Sequence, residues 1–335
     1  MKQKIAEFSF LHVFAILLVV LGHSFYQTNS LIVDWLYQFH VPLFFFVSGY
    51  LFHVSVNGKP LQPHIFLSRK AVRLLLPYFA LSTLLFVPKV LLSQFMVRPI
   101  QASWREYVLM LIYPYRNVNS SYWFLPTLFL LFVFAAVALL FFQRLKHRTS
   151  LTVTTLLLTL LALANISLPF SHDTLFNVVG VIHYAFYFAL GYFVFSFGLM
   201  RFLDKRKTSF LVFLFTFVVS IIGLRVNKSP LMDLFFATGG ILMSVALARL
   251  YAKYGLRFLN HLSPTSYTIY LYHGIFQALS LQILMRFTHF DIGFYIILAF
   301  LTGVYGSFLV YKLLYAYRNS RLGRILALIS GISIS

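Results

Sequence analysis

The chain has 335 residues, of which 60% are hydrophobic, 19% aromatic and only 10% charged, with a mean hydropathy of +0.85. A soluble domain carries about 25% charged residues and about half or less apolar ones, so the composition excludes a soluble globular protein and defines a polytopic membrane protein. The 27 Lys and Arg against 7 Asp and Glu fall in short loops between apolar runs, as in loops facing anionic headgroups, and no basic platform for nucleic acid exists.

The chain has no cysteine, which removes disulfides, thiolate catalysis and Cys-based metal sites. The first apolar run lacks a small-residue cleavage site and reads as a retained transmembrane helix. Ten apolar spans, each of a length to cross the hydrocarbon core, are predicted near 8–26, 36–55, 73–96, 122–142, 150–169, 176–198, 209–225, 231–250, 266–285 and 293–316. Lys2 and Lys4, the 59–73, 144–148, 201–207 and 249–257 clusters, and Lys312 to Arg324 all fall on one side. The other side receives only Arg98, Arg105, Arg116, Arg225, Lys228 and Arg286. The positive-inside rule then makes both termini cytoplasmic. The expected fold is all-α, a polytopic membrane helical bundle of about ten transmembrane helices. It forms one domain over 1–335 with no soluble domain. The longest piece outside the spans, 97–121, is expected as an interfacial aromatic helix or as a cover over an outward-facing site.

Within the first span, His12 and His23 are the strongly polar side chains after Ser9. Eleven residues at about 100° each bring them onto one face, roughly 16 Å apart along the axis. An imidazole titrates near neutrality and can act as a base or proton carrier. For His23, set between Gly22 and Ser24, function is favoured over a structural hydrogen bond. His40, before Pro42, is equally readable as an interfacial histidine or as a partner of His23 near the outer face. Ser48-Gly49 reads as a helix-packing pair or a ligand contact. Arg69-Lys70-Ala71-Val72-Arg73 is either ordinary flanking charge or a cradle for an anionic donor. Lys89, inside the third span, is a snorkelling side chain or a site candidate.

Trp123 and Phe124 open the fourth span as an aromatic anchor or a substrate lining. His183 and Tyr187 share a face of the sixth. Ser266, Tyr270 and His273 share a face of the ninth, and His273, near mid-membrane, must have a partner because an unpaired polar group there costs several kcal/mol. No Gly-x-Ser-x-Gly elbow, Walker loop or His-Glu-x-x-His occurs. The histidines lack metal-ligand spacing, so no metal is expected.

The order of these motifs resembles a known family. Residues 10–23 and 39–52 are similar to the first two helices of the membrane acyltransferase-3 family. Residues 69–78 resemble its third helix, and Tyr-Trp-Phe-Leu-Pro-x-Leu-Phe (122–129), Phe-x-Leu-Gly-Tyr (188–192) and Ser-Tyr-x-Ile-Tyr-Leu-Tyr-His (266–273) its later signatures. The resemblance implies an integral membrane O-acyltransferase that moves an acyl group, commonly acetyl, from cytoplasmic acyl-CoA to a sugar hydroxyl. The acceptor it implies is a surface polysaccharide or lipid-linked sugar at the outer side of a bacterial plasma membrane, with polysaccharide assembly machinery as a partner. The family's first helix carries an arginine, ten intervening residues and a catalytic histidine. The histidine position is His23, but the arginine position is His12, and Ser9 stands where an acidic residue often precedes that arginine.

The expected site therefore has His23 and His40 in catalysis and His12, Arg69, Lys70 and Arg73 at the acyl-CoA. Trp123, Phe124, Ser48, His183, Tyr270 and His273 are expected at the acceptor. The competing class is a polysaccharide or lipid-linked sugar exporter without chemistry, which would need a wide aromatic path and no His23.

Overall fold

The computed structural model of the protein describes residues 2–25, 28–56, 61–95, 100–142, 147–171, 173–257, 259–287 and 290–332. Lys59, Arg98, Arg144 and Lys146, counted above among the loop charges, lie outside the described residues.

In chain order the helices are α1 (Lys2–Ser24), α2 (Leu31–Tyr37), α3 (His40–Val56), α4 (Pro63–Leu91), α5 (Trp104–Ile112), α6 (Phe124–Phe142) and α7 (His147–Ser167). Then follow α8 (Val178–Ser196), α9 (Arg206–Ile222), α10 (Pro230–Lys253), α11 (Ser266–Phe287), α12 (Ile292–Leu301), α13 (Ser307–Tyr317) and α14 (Arg321–Ile329). No strand occurs among the described residues. Nine helical segments among them are long and apolar enough to cross a membrane, so the protein is a polytopic helical membrane bundle.

The expected ninth span, α11, is not one of the nine. It has 22 residues, about 33 Å at 1.5 Å each. Its three tyrosines, His273, Gln277 and Gln282 make it more polar than the others. The last span is α12 and α13 joined by a single π turn, Thr302–Gly306.

Two boundaries differ from expectation. Helix α4 begins at Pro63, ten residues before the expected span. Proline at the first helical position has its missing N–H where a helix needs none, and an amphipathic lead-in can be helical without being apolar. Arg69, Lys70 and Arg73 therefore stand on a helix, not in a loop. The fourth span starts as a 3₁₀ turn, Ser120–Trp123, before α6. The 97–121 segment holds α5, whose first turn is capped where Glu106 N donates to Ser103 Oγ at 3.1 Å.

The chain forms two compact units. The first comprises residues 1–60, 142–169 and 182–266. Helix α10 is its centre, packing on α1, α3, α7 and α9. Small residues let the helices approach: a Cβ on Gly240 would lie 2.3 Å from the Phe39 ring. One on Gly49 would lie 1.9 Å from the Phe188 carbonyl oxygen, and one on Gly191 2.0 Å from that of Phe46. Ser48-Gly49 thus lies where α3 and α8 cross at backbone contact.

At the end of this unit that carries the N-terminus, Arg249 sits between two carboxylates. Its Nε is 3.1 Å from Glu7, and its Nη1 donates to Asp204. The guanidinium and Glu7 are largely buried, so removing one partner would cost roughly 3–5 kcal/mol.

The second unit comprises residues 61–141, 170–181 and 267–335. Tyr78 O–H donates to the Leu111 carbonyl at 2.9 Å, and Asn117 Nδ2 donates to Ser82 Oγ at 2.7 Å. These bonds tie α4 to the last turn of α5 and to the segment after it. Lys89 Nζ donates to the Val118 carbonyl at 2.6 Å, so this lysine holds the same loop to α4. Arg116 and Asp173 pair across two loops of this unit, and the guanidinium holds the Asp173 carboxyl below its usual range.

Candidate active site

The expected site residues divide between the two units. His12, His23, His40, Ser48 and His183 belong to the first; Arg69, Lys70, Arg73, Trp123, Phe124, Tyr270 and His273 belong to the second.

Helix α1 runs unbroken through His12 and His23, so the two keep the register that eleven helical residues impose. His23 is accessible in the last turn while its neighbours Gly22 and Ser24 are buried. The serine is occupied, donating to the Val20 carbonyl at 2.7 Å. Next to this turn lies α2, whose Ser30 cap accepts from Ile32 N at 3.2 Å. Tyr37, at the end of α2, passes over Gly22: a Cβ there would lie 3.3 Å from Tyr37 Cε2. The same tyrosine ring meets the His40 ring edge-to-face at 4.7 Å.

His40 begins α3 and is 3% exposed. Its Nδ1 lies 2.8 Å from the Leu36 carbonyl oxygen. A carbonyl can only accept, so Nδ1 carries the proton, and in the neutral ring Nε2 is an acceptor. Tyr37 thus bridges the turn that carries His23 and the ring of His40. The first unit therefore brings these two histidines together, with Tyr37 wedged against both their helices. Sequence reasoning missed Tyr37; its only signal was an aromatic residue three positions before His40.

His183 presents its carbonyl to Asn165 Nδ2 at 2.8 Å, and its ring meets Tyr184 edge-to-face at 5.0 Å. Tyr184 in turn stacks on Phe45 at 4.4 Å. A cavity of about 640 Å³ opens at the Arg249 end of this unit, lined among others by Glu7, Ser9, Tyr50, His53, Arg201 and Arg249. Among the described residues no three His, Asp or Glu side chains gather as metal ligands.

In the second unit Arg69, Lys70 and Arg73 of α4 part company. Lys70 Nζ lies over the Phe132 ring at 4.2 Å and the Phe66 ring at 5.3 Å, an aromatic box for the ammonium. Arg69 and Arg73, four residues apart, are exposed. Arg73 is also tied to α11: its guanidinium lies 5.4 Å from the Tyr267 ring, and Tyr267 O–H donates to the Arg73 carbonyl at 2.5 Å.

Trp123 stacks on Tyr115 with centroids 5.0 Å apart and planes within 13°. Phe124 packs on Tyr270 at 5.6 Å. Tyr270 donates to the Ser121 carbonyl and Tyr122 to that of Leu271, the latter at 2.9 Å. These reciprocal bonds fix the 3₁₀ turn against α11. His273 is fully buried, with Nδ1 2.7 Å from the Tyr270 carbonyl. So Trp123, Phe124, Tyr270 and His273 form one neighbourhood.

A further residue stands beside it. Asn177 is buried, with φ of 55° directly after Phe176 at 47°. Its Nδ2 donates to Thr127 Oγ1 at 2.7 Å, and Thr127 donates to the Trp123 carbonyl at 2.8 Å. This relay holds Trp123, and no pattern in the sequence marks Asn177.

Together these features define a multi-pass helical membrane protein with paired histidines in one unit and an aromatic, basic site in the other. The model of a family described as an acyltransferase domain matches residues 5–312, nearly the whole chain, and the chain belongs to this acyltransferase-3 family. It is a membrane O-acyltransferase. No curated protein and no solved structure matches it.

Proposed function

We propose that the protein transfers an acyl group, acetyl first among the candidates, from acyl-CoA to a hydroxyl of a surface polysaccharide or lipid-linked sugar. The membrane is the bacterial plasma membrane, with the donor on the cytoplasmic side and the acceptor on the outer side. The observation that supports this reading is the arrangement of His23 and His40 about Tyr37: one accessible imidazole, and a second whose proton is committed to a backbone carbonyl.

In this reading His23 takes the proton of the acceptor hydroxyl as its oxygen attacks the thioester carbonyl. The tetrahedral intermediate collapses, the C–S bond breaks, the ester C–O bond remains, and the proton passes from His23 to the departing thiolate. Neutral His40, with Nδ1 donating to Leu36, offers Nε2 as an acceptor. That suits it to hold the protonated form of His23 and not to donate to an oxyanion. A covalent acyl-histidine at His23 is the other route the same residue allows. Arg69 and Arg73 are proposed to meet the donor's phosphates by charge-assisted hydrogen bonds. His12 would add charge when protonated, at the position where the family has arginine. Trp123 with Tyr115 and Phe124 offer flat faces for a sugar, with the buried Tyr270 packed behind Phe124.

The test is acyl transfer in membrane vesicles given radiolabelled acetyl-CoA on the cytoplasmic side. Wild type is expected to label glycan or glycolipid, and His23→Ala to lose about 10²–10⁴-fold of the rate at unchanged expression. His12→Arg reports whether the substitution in α1 alters donor use. If no acyl donor yields label while surface polysaccharide still depends on the protein, catalysis is abandoned for export.

A further inference from the structure

Helix α14 has three distinct sectors. At 100° per residue, Gly323, Ala327 and Ser330 fall together, and all three are buried. Leu322, Ile325 and Leu326 fall on a second sector and are exposed, Leu322 by 67% and Ile325 by 56%. Arg321 and Arg324 occupy the third together with Leu328, all three exposed, with Arg318 just ahead of the helix.

The small-residue sector is locked to the protein. A Cβ on Gly323 would lie 1.8 Å from the Tyr317 carbonyl oxygen, so the helix doubles back at backbone contact with the end of α13. At its other end Ser330 Oγ is 2.7 Å from Tyr272 O–H. Gly331, with φ of 63°, lies under the Tyr267 ring, where a Cβ would be 2.0 Å from Cε1. With both ends held, α14 cannot rotate its leucines inward. The apolar sector must face outward in a protein whose surroundings are lipid.

We propose that α14 is a docking site for anionic lipid headgroups of the bilayer that the protein spans. Leu322, Ile325 and Leu326 enter the boundary between headgroups and acyl chains, and Arg318, Arg321 and Arg324 meet phosphates. Charge selects this occupant. None of the three arginines forms an ion pair with a carboxylate among the described residues, and a bulky apolar sector flanked by arginine is the composition of helices that lie in a membrane interface. Arg318 is held at the end of α13, its guanidinium 3.8 Å from the Tyr315 ring and its Nη1 donating to the Tyr315 carbonyl at 2.6 Å.

The experiment is amide hydrogen exchange on the full chain in nanodiscs of phosphatidylcholine alone or with phosphatidylglycerol. Adding phosphatidylglycerol is expected to slow exchange across Arg321–Ser330 by about fivefold for each arginine engaged. The exposed pair Arg321→Gln/Arg324→Gln should remove most of that slowing, as should about 1 M salt, with α12 and α13 unchanged as the folding control. Equal exchange in the two lipids overturns the proposal, as does slowing that survives the double substitution. Slowing that follows the protein-to-lipid ratio instead also overturns it, since a second copy would then cover the face.

Discussion

Gly49 and Gly191 show how much a single missing methyl group decides in this protein. Each stands at backbone contact with the facing helix, so alanine at either must push a carbonyl aside, and rigid helices can yield only by separating. Gly49→Ala and Gly191→Ala are expected to destabilise by about 1–3 kcal/mol. Gly239→Ala, with nothing within 4 Å of its Cβ position, should be neutral or stabilising by up to about 1 kcal/mol. Thermal unfolding of the detergent-purified chain separates them, and equal melting of all three would mean that α3 and α8 do not cross at these glycines. At this scale the sequence was partly legible. The register of His12 with His23 follows from periodicity because α1 is unbroken, and the small pair Ser48-Gly49 signalled close packing. The bond from His40 to Leu36 was hidden, because it depends on a turn at Gln38 and Phe39 between α2 and α3. Asn177 was hidden too, because its left-handed backbone follows a phenylalanine that no turn rule favours.

Among the elements, α4 shows where hydropathy misleads. Hydropathy marks the apolar part of a helix, whereas the helix itself begins where its N-terminus can be formed, at Pro63. The extra turns put Arg69 and Arg73, four residues apart, on one exposed face and Lys70 about 100° away, so neighbouring cations in the sequence have different surroundings. This separates their roles under the proposed reading. Arg73→Ala is expected to raise the KM for acyl-CoA roughly tenfold to a hundredfold, the worth of a charge-assisted hydrogen bond, with kcat changed little. Lys70→Met should leave that KM unchanged and cost about 0.5–2 kcal/mol of stability by removing the ammonium from its two rings. Donor titrations of the two variants in vesicles decide it. An unchanged KM in Arg73→Ala removes α4 from the donor site, and a raised KM in Lys70→Met means its ammonium leaves the aromatic box to bind substrate. The same contrast of pattern and element explains α11. Its polar residues made it a site candidate, and those residues are what make it less apolar than the other spans.

For the whole molecule, that polarity sets a question of parity. Nine crossings put the termini on opposite sides of the membrane; ten put them on the same side. Helix α11 is about 33 Å long, enough for a hydrocarbon core of about 30 Å. Three of its polar side chains are engaged within its own unit, Tyr270 on Ser121, Tyr272 on Ser330, and Ser280 Oγ 2.9 Å from Thr302 Oγ1. A helix so satisfied can cross a membrane despite its composition. The charges agree, since Lys2 and Lys4 at one terminus and Arg318, Arg321 and Arg324 near the other suit the same, cytoplasmic face. The absence of cysteine makes this directly measurable with single introduced thiols and a membrane-impermeant maleimide. Arg105→Cys should label from outside intact cells, and Arg201→Cys and Arg321→Cys only after permeabilisation. Phe290→Cys, in the turn between α11 and α12, carries the decision: if α11 crosses, it labels from outside with Arg105→Cys. Labelling of Phe290→Cys only after permeabilisation, with Arg321→Cys reached from outside, would leave nine crossings and opposite termini. The donor-side reading of α4 survives either result, because α4 precedes α11 and its orientation is fixed by the spans before it.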